Sequence, residues 1–270
     1  MKPTIHIVGA GFAGMSLALR LRQKGFPVEI HEKSSRVGGL LGTDRTEYGI
    51  AEKAANALMR TPAAEELFTE LALTPSLPLP TAKKRFLMRD KPRSWPLHVS
   101  ETLDFLRKVL GCLLLQGKRG FKPRPQETLQ EWGHYHLGKP ATQYILGPAM
   151  QGIYGNDIKD LSATLILGPL FKKRKKQKYK GLLTGPGGMQ DLVDHLEKKL
   201  QELGVIIHLN AEVDLRQLPG PVVLATSATA ASELLKPIRP SLAKTMEQIQ
   251  MSSLMSITLF FDKAQTRYHG

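Results

Sequence analysis

The sequence predicts an α/β fold with a parallel sheet. A mainly helical insertion separates the two segments of the chain that form this sheet. Three observations predict it. The chain opens as strand, glycine-rich turn, helix and strand over residues 4–31. A helix followed by two strands returns at residues 189–226, and a basic segment with helical periodicity lies between these parts. With 270 residues, 41% of them hydrophobic and 23% charged, the chain has the size and composition of a globular protein with a sizeable core.

The first strand–helix–strand unit carries a motif that binds dinucleotides. Its turn reads GxGxxG, in the strand-to-helix context that the motif requires. The first glycine permits a tight turn, the second lets a pyrophosphate approach the backbone, and the third lets helix and strand pack closely. The amides and the positive dipole end at the helix start then favour phosphate. The residues of this turn are Gly9, Ala10, Gly11, Phe12, Ala13 and Gly14.

An acidic residue and a second pair of glycines follow the second strand. Glu32 stands where a carboxylate accepts hydrogen bonds from the adenosine ribose and disfavours a 2′-phosphate. Arg36 can pair with the pyrophosphate, and Gly38 and Gly39 allow a second close approach of the backbone. Together with the glycine turn, this predicts a Rossmann-like domain that binds the ADP half of a dinucleotide.

The stretch from Glu32 to Gly39 resembles the ExxxRxGG extension of the FAD-dependent amine-oxidase superfamily, which separates FAD proteins from NAD proteins. The resemblance implies FAD, a second stretch under the flavin at residues 49–56, and backbone contacts at two later positions. This chain has alanine at 54 and 55, where the superfamily usually has glycine and often proline. Besides the glycine turn, the cofactor-binding residues that it implies are Glu32, Lys33, Arg36, Gly38, Gly39, Leu40, Ala54, Ala55, Asn56, Ala57, Val213 and Ala225.

Three segments outside the FAD motif resemble the protoporphyrinogen oxidase family, in the same order and with rough agreement of spacing. They are KRFLM at 84–88, QGIYGNDIKDLSA at 151–163 and GGMQDL at 187–192. The resemblance implies dehydrogenation of a porphyrinogen, a nonpolar macrocycle with carboxylate side chains, in heme biosynthesis. It also implies that Arg85 pairs with a substrate propionate, for which a guanidinium is suited. A solvated surface arginine is the alternative interpretation of Arg85 in so basic a segment.

Two other classes of function stay open on the sequence. An amine oxidase or a carotenoid-type desaturase would share the FAD motif. Membership of either class would not explain the presence of Arg85 or of the GIY residues in the 151–163 segment. A non-catalytic basic module would keep the nucleotide fold as a scaffold. Members of the superfamily continue beyond the point where this chain stops and add a second flavin contact there. We therefore expect the C-terminal part of the family fold to be missing, with weak binding of the ADP half of FAD and little oxidase activity from this chain alone.

The domain organisation follows from the return of the strands. Residues 1–75 and 181–270 are expected to form a discontinuous FAD-binding domain, and residues 76–180 a basic, mainly helical insertion for substrate or membrane. The helix predicted over 101–115 is amphipathic, which suits either a protein core or an anionic membrane surface. The further predicted elements are helices over 61–73, 126–150 and 189–203 and strands over 205–209, 222–226 and 255–261.

Charge and composition limit the partners. A net charge of +14 favours acidic ligands or surfaces. The basic run FKKRKKQKYK at 171–180 has aromatic residues only at its edges, so stacking of bases and nucleic-acid binding are not expected. No apolar run of spanning length and no signal-peptide pattern is found, which predicts a cytoplasmic protein that could attach peripherally to the inner face of the membrane. No metal site is predicted, because His134 and His136 would diverge on a helix.

Overall fold

A computed structural model of the chain describes residues 2–79, 86–171 and 179–262. The strands are β1 (Ile5–Val8), β2 (Val28–His31), β3 (Thr43–Thr46), β4 (Gly49–Glu52), β5 (Leu58–Met59), β6 (Leu87–Met88), β7 (Pro92–Arg93), β8 (Leu182–Leu183), β9 (Ile206–His208) and β10 (Val222–Leu224). The helices are α1 (Phe12–Gln23), α2 (Pro62–Glu70), α3 (Val99–Gln116), α4 (Leu129–His136), α5 (Lys139–Ala141), α6 (Gly147–Tyr154), α7 (Ala163–Phe171), α8 (Met189–Glu202), α9 (Ala228–Leu235) and α10 (Pro240–Glu247).

The chain divides into two compact units. One comprises the described residues of Met1–Pro78 and Gln177–Gln265, and the other comprises those of Leu79–Lys176. Arg85 and residues 172–178 of the basic run lie outside the described residues. The substrate role of Arg85 and the behaviour of that run therefore stay predictions.

The first unit is built on a four-stranded parallel sheet. Its strand order is β10-β1-β2-β9, so the first strand of the chain is central and later strands flank it on both sides. Ile5 pairs with Val28, and His6 pairs with Val222, in the parallel registers on the two sides of β1. A parallel sheet with helical crossovers is the arrangement of dinucleotide-binding folds. The α/β fold predicted from the sequence is confirmed.

Alternation along the central strands sends apolar side chains into one hydrophobic core. Ile7 and Ile30 are fully buried there against α1 and α8. Helix α8 presents Leu192, Leu196 and Leu200 at four-residue spacing, and all three are fully buried. Burial of a leucine side chain contributes about 1.5–3 kcal/mol, so this stripe holds α8 firmly in the core of the unit.

The second unit is mainly helical, with a short β6–β7 hairpin. The helical structure expected over 126–150 is present from Leu129 onward. It consists of α4 and of one unbroken stretch in which a π-helical turn over Thr142–Leu146 joins α5 to α6. Gly138, with φ +89°, separates α4 from that stretch, and a proline stands in the first turn of both α5 and α6. A capping box between Thr128 and Glu131 fixes the start of α4.

Helix α3 begins two residues before the predicted range and ends one residue after it. Every one of its side chains is at least partly exposed, although the helix is rich in leucine. Among the helices that the structure describes, none combines the length and the apolarity needed to cross a bilayer.

The strand expected over 255–261 is wrong. Residues 251–262 are described, have no regular secondary structure and are exposed. A strand is stabilised by a neighbouring strand and by cross-strand side-chain pairs, and β-propensity alone does not replace them. The alternating apolar residues of this segment therefore form no strand.

Candidate cofactor site

The glycine turn between β1 and α1 has no room for side chains at two of its three glycines. Gly9 has φ +107°, and a Cβ there would lie 2.7 Å from the carbonyl oxygen of Ala225. A Cβ on Gly14 would collide with the carbonyl oxygen of Gly9. By contrast, a Cβ on Gly11 would meet only the Cα of Gly39, 4.0 Å away. Gly11 therefore faces open space, and its missing side chain keeps that space open.

The second pair of glycines lies directly against the first turn. Gly11 and Gly38 form a parallel bridge, and the Gly38 amide donates a hydrogen bond to the carbonyl of Ala10 at 2.8 Å. Gly39 has φ +59°, and a Cβ on it would stand 3.0 Å from the Cα of Gly11. The structure thus brings together the two glycine motifs, which are separated in sequence by a helix and a strand.

Glu32 directly follows β2 and lies beside the glycine turn. Its carboxylate accepts hydrogen bonds from the Ala10 amide at 2.8 Å and from the amide and hydroxyl of Ser34 at 2.9 and 2.7 Å. Burial opposes ionisation of this carboxyl, but the hydrogen bonds from Ser34 and Ala10 outweigh it and hold the pKa of Glu32 below its usual value. A negative charge is therefore fixed next to the turn, oriented by backbone donors.

Arg36 is bonded within its own loop. Its guanidinium donates to the carbonyl oxygens of Gly39 at 2.7 Å and of Val37 and Leu41 at 3.1 Å. These bonds close the loop that carries Gly38 and Gly39. Because a guanidinium has five N–H donors, the predicted contact of Arg36 with a pyrophosphate stays a prediction beside this observed structural role.

The other predicted residues are spread along the same edge of the sheet and beyond it. The Ala225 amide donates to the carbonyl of Val8 at 2.8 Å, which places it next to Gly9. Val213 lies two residues after Ala211, whose amide donates to the carbonyl of Glu32 at 2.9 Å. Lys33 and Leu40 are exposed, as are Ala54, Ala55 and Asn56, whereas Ala57 is half-buried. Cofactor contacts of these residues stay predictions.

Two polar side chains, one of them in the 49–56 stretch, make contacts with α8 that the sequence did not predict. Glu52 accepts a hydrogen bond from the Met189 amide at 3.0 Å, and Thr43 accepts one from the Gln190 amide, also at 3.0 Å. The Thr43 hydroxyl in turn donates to Glu52 at 2.7 Å. The β3–β4 hairpin therefore caps the helix whose own N-cap, Gly188, has no side chain.

Ser34 is the second kind of residue that the sequence reasoning missed. Its amide and hydroxyl both reach the carboxylate of Glu32, two positions earlier. A serine two residues after an acid is a local signal for this kind of turn, and it could have indicated that Glu32 is held ionised.

The residues present fit the ADP half of a dinucleotide. The start of α1 has neither a side-chain cap on Gly11 nor an acidic residue in its first turn, so its positive end is available to phosphate. Gly11 leaves space beside that end, and Glu32 offers an ionised carboxylate next to the turn, at the position where folds of this type bind the ribose. Fold and site together define a dinucleotide-binding protein.

Comparison with known proteins gives the family. The sequence profile described as flavin containing amine oxidoreductase matches residues 12–215, well over half of the chain. The chain belongs to the flavin containing amine oxidoreductase family, and its cofactor is FAD.

Individual relatives extend this likeness along the chain. A coproporphyrinogen III oxidase from Propionibacterium freudenreichii subsp. freudenreichii is 24% identical over an alignment that covers 94% of this chain and 62% of the relative. A protoporphyrinogen oxidase from Dictyostelium discoideum is 25% identical, with 65% and 42% of the two chains covered. The crystal structure of an oxidoreductase from Methanosarcina mazei superposes with a TM-score of 0.65 at 16% identity, covering 92% of this chain and 66% of that one, which shows a shared fold. The chain thus spans less than two thirds of the length of these relatives.

Proposed function

We propose that this chain forms the FAD-binding portion of an oxidase that dehydrogenates a porphyrinogen. The observation that carries the proposal is the alignment of 94% of the chain with a relative named coproporphyrinogen III oxidase. A second relative, named protoporphyrinogen oxidase, comes from a distant organism and supports the same substrate class. An amine oxidase or a desaturase is the alternative within the same family.

The residues of the first unit have distinct tasks in this proposal. Gly11 admits the pyrophosphate to the helix start, and Glu32 accepts hydrogen bonds from the ribose. Arg36 holds the second glycine loop closed against the first. Held by these residues, FAD would supply a hydride acceptor for a substrate C–H bond, with a separate electron acceptor needed to reoxidise it. In the proposal, Arg85 pairs with a propionate of the substrate.

Oxidation of coproporphyrinogen III, protoporphyrinogen and putrescine by the FAD-loaded protein tests the substrate class. We expect porphyrin fluorescence to appear with the porphyrinogens and no hydrogen peroxide to form with the amine, when the chain is fused to the portion of the coproporphyrinogen III oxidase that the alignment does not cover. The 270 residues alone are expected to retain FAD weakly and to turn over little. Amine oxidation without porphyrin formation would move the chain to the alternative class, and salt-sensitive DNA binding without flavin would favour a non-catalytic module.

We also propose that α3 contacts an anionic membrane surface. The exposed apolar side chains of α3 form a hydrophobic surface whose contact with water is energetically unfavourable. On the polar side of α3, the charge of Arg107 is partly compensated by an ion pair with Asp104 of the same helix, at 2.9 Å. Lys108 is available in addition for acidic lipid headgroups. The exposed apolar residues of α3 are Val99, Leu103, Leu106, Leu110, Leu113, Leu114 and Leu115.

The double variant Leu103→Asp/Leu110→Asp is expected to lower binding to vesicles that contain an anionic lipid by about 10-fold or more, because it removes apolar area and adds negative charge. Co-sedimentation with the vesicles measures the effect. Leu165→Asp is the matched control, since Leu165 is a 79% exposed leucine on another helix of the same unit. Equal binding of all three proteins would exclude α3 as the contact.

A further inference from the structure

A cluster of histidines lies on the sheet face that points away from the α1–α8 core. His6 on β1 pairs in register with Glu29 on β2, and His31 on β2 pairs with His208 on β9. Because side chains alternate along a strand, these four residues share one face, whereas their neighbours Ile7 and Ile30 enter the hydrophobic core. Three imidazoles and one carboxylate from three adjacent strands therefore lie next to one another on this face of the sheet.

The solvent exposure of the side chains in the cluster increases from His6 to His208. His6 is only 4% exposed, and its Nε2 is buried without a hydrogen-bond partner among the described residues. Its Nδ1 is thus the nitrogen that faces the other polar groups. The Glu29 and His208 side chains are 30% and 42% exposed, so the cluster opens to solvent at its rim. An imidazole in the middle of a buried strand is costly unless its polar atoms are used.

The ligand atoms converge to metal-binding distances. His6 Nδ1 lies 3.1 Å from His31 Nε2 and 4.0 Å from Glu29 Oε2, and the three atoms all lie within 4.8 Å of one another. Tetrahedral coordination with bonds of about 2.0–2.1 Å separates its ligand atoms by about 3.3 Å. Shifts of the order of 1 Å in the half-exposed Glu29 side chain would therefore complete a His₂Glu set.

We propose that His6, Glu29 and His31 form a binding site for a divalent transition-metal ion of the zinc class. Two imidazole nitrogens and one carboxylate oxygen are the donors that zinc takes where one coordination position stays open to water. His208 acts as a positioning residue, because its Nε2 lies 3.1 Å from Glu29 Oε2 and its ring stacks on His31 with centroids 4.9 Å apart.

The donors of the cluster are of the kind that a divalent ion takes. A neutral imidazole binds metal through the lone pair of a ring nitrogen. One carboxylate supplies negative charge to offset part of the charge of a divalent ion.

Titration of the untagged chain with Zn²⁺ by calorimetry, and with Co²⁺ by visible absorption, tests the site. We expect one ion per chain, a Co²⁺ spectrum of the intense low-coordinate type, and a rise in Tm on adding Zn²⁺. His31→Ala is expected to weaken binding by about 100-fold or more, and His208→Ala by about 10-fold, as for residues that orient a ligand.

Controls separate the site from nonspecific binding and from unfolding. His6→Ala removes a buried side chain and could unfold the sheet, so Glu29→Gln, which removes one ligand charge at a half-exposed position, gives the second test. His134→Ala changes a histidine of the other unit and should bind Zn²⁺ as the unaltered chain does. Equal Zn²⁺ affinity in His31→Ala and the unaltered chain, or no saturable binding at all, would overturn the proposal. None of these readouts depends on FAD.

Discussion

Replacing Gly11 with valine is expected to abolish FAD binding while the chain stays folded. Gly11 has φ −70° and ψ 174°, which valine adopts without strain, and no atom within the space of a new Cβ opposes it. The isopropyl group would occupy the space in which the pyrophosphate meets the start of α1. Each lost charge-assisted hydrogen bond costs about 1.5–3 kcal/mol, so losing two of them weakens binding about 100-fold or more. Calorimetric titration with ADP and with FAD measures the loss.

Stability measurements distinguish this result from simple unfolding. At the N-cap position, valine in place of glycine should cost about 1 kcal/mol, which urea denaturation would detect as a small shift. Gly14→Val is the contrasting control, because a Cβ at Gly14 collides with the Gly9 carbonyl and should prevent the strand and helix from packing. Retention of ADP affinity by Gly11→Val would show that the diphosphate does not lie against this turn.

The contrast between these two glycines shows what the sequence could predict. A GxGxxG turn after a strand fixes where the chain must bend, because close backbone approach at Gly9 and Gly14 excludes side chains. The same reasoning located Glu32 at the end of β2. Such short-range constraints depend on a few neighbouring residues, so they can be predicted from a single sequence without knowledge of the rest of the fold.

Contacts between distant segments were not predictable in the same way. Glu52 and Thr43 cap α8 across more than a hundred residues, and no local pattern announces such a pair. The histidine cluster depends on the register of three strands, which becomes known only when the sheet order is known. The strand expected over 255–261 failed for the related reason that β-structure requires a partner strand.

Glu32→Gln is expected to lower ADP affinity by about 10- to 100-fold, since the charged acceptor for the ribose hydroxyls becomes a neutral amide. In either orientation the new amide would place its NH₂ group against a backbone donor. One orientation faces the Ala10 N–H, and the other removes the acceptor of the Ser34 N–H. Titration with ADP-ribose and 2′-phospho-ADP-ribose gives a sharper readout than ADP alone. The unaltered chain should reject the 2′-phosphate, and the variant should discriminate less.

The acid dependence of stability provides an independent check on the same carboxylate. Because the pKa of Glu32 is lower in the folded chain than its usual value, the ionised group stabilises the fold above a pH of about 4.3, and that contribution is lost as the pH falls through the folded-state pKa. The stability difference between the unaltered chain and Glu32→Gln should therefore shrink in strong acid. Glu212→Gln removes an exposed carboxylate from the segment that follows β9 and should not change ligand discrimination. If both glutamate variants behave alike, the effect of Glu32 is one of net charge, and its place beside the glycine turn carries no special role in holding the ribose.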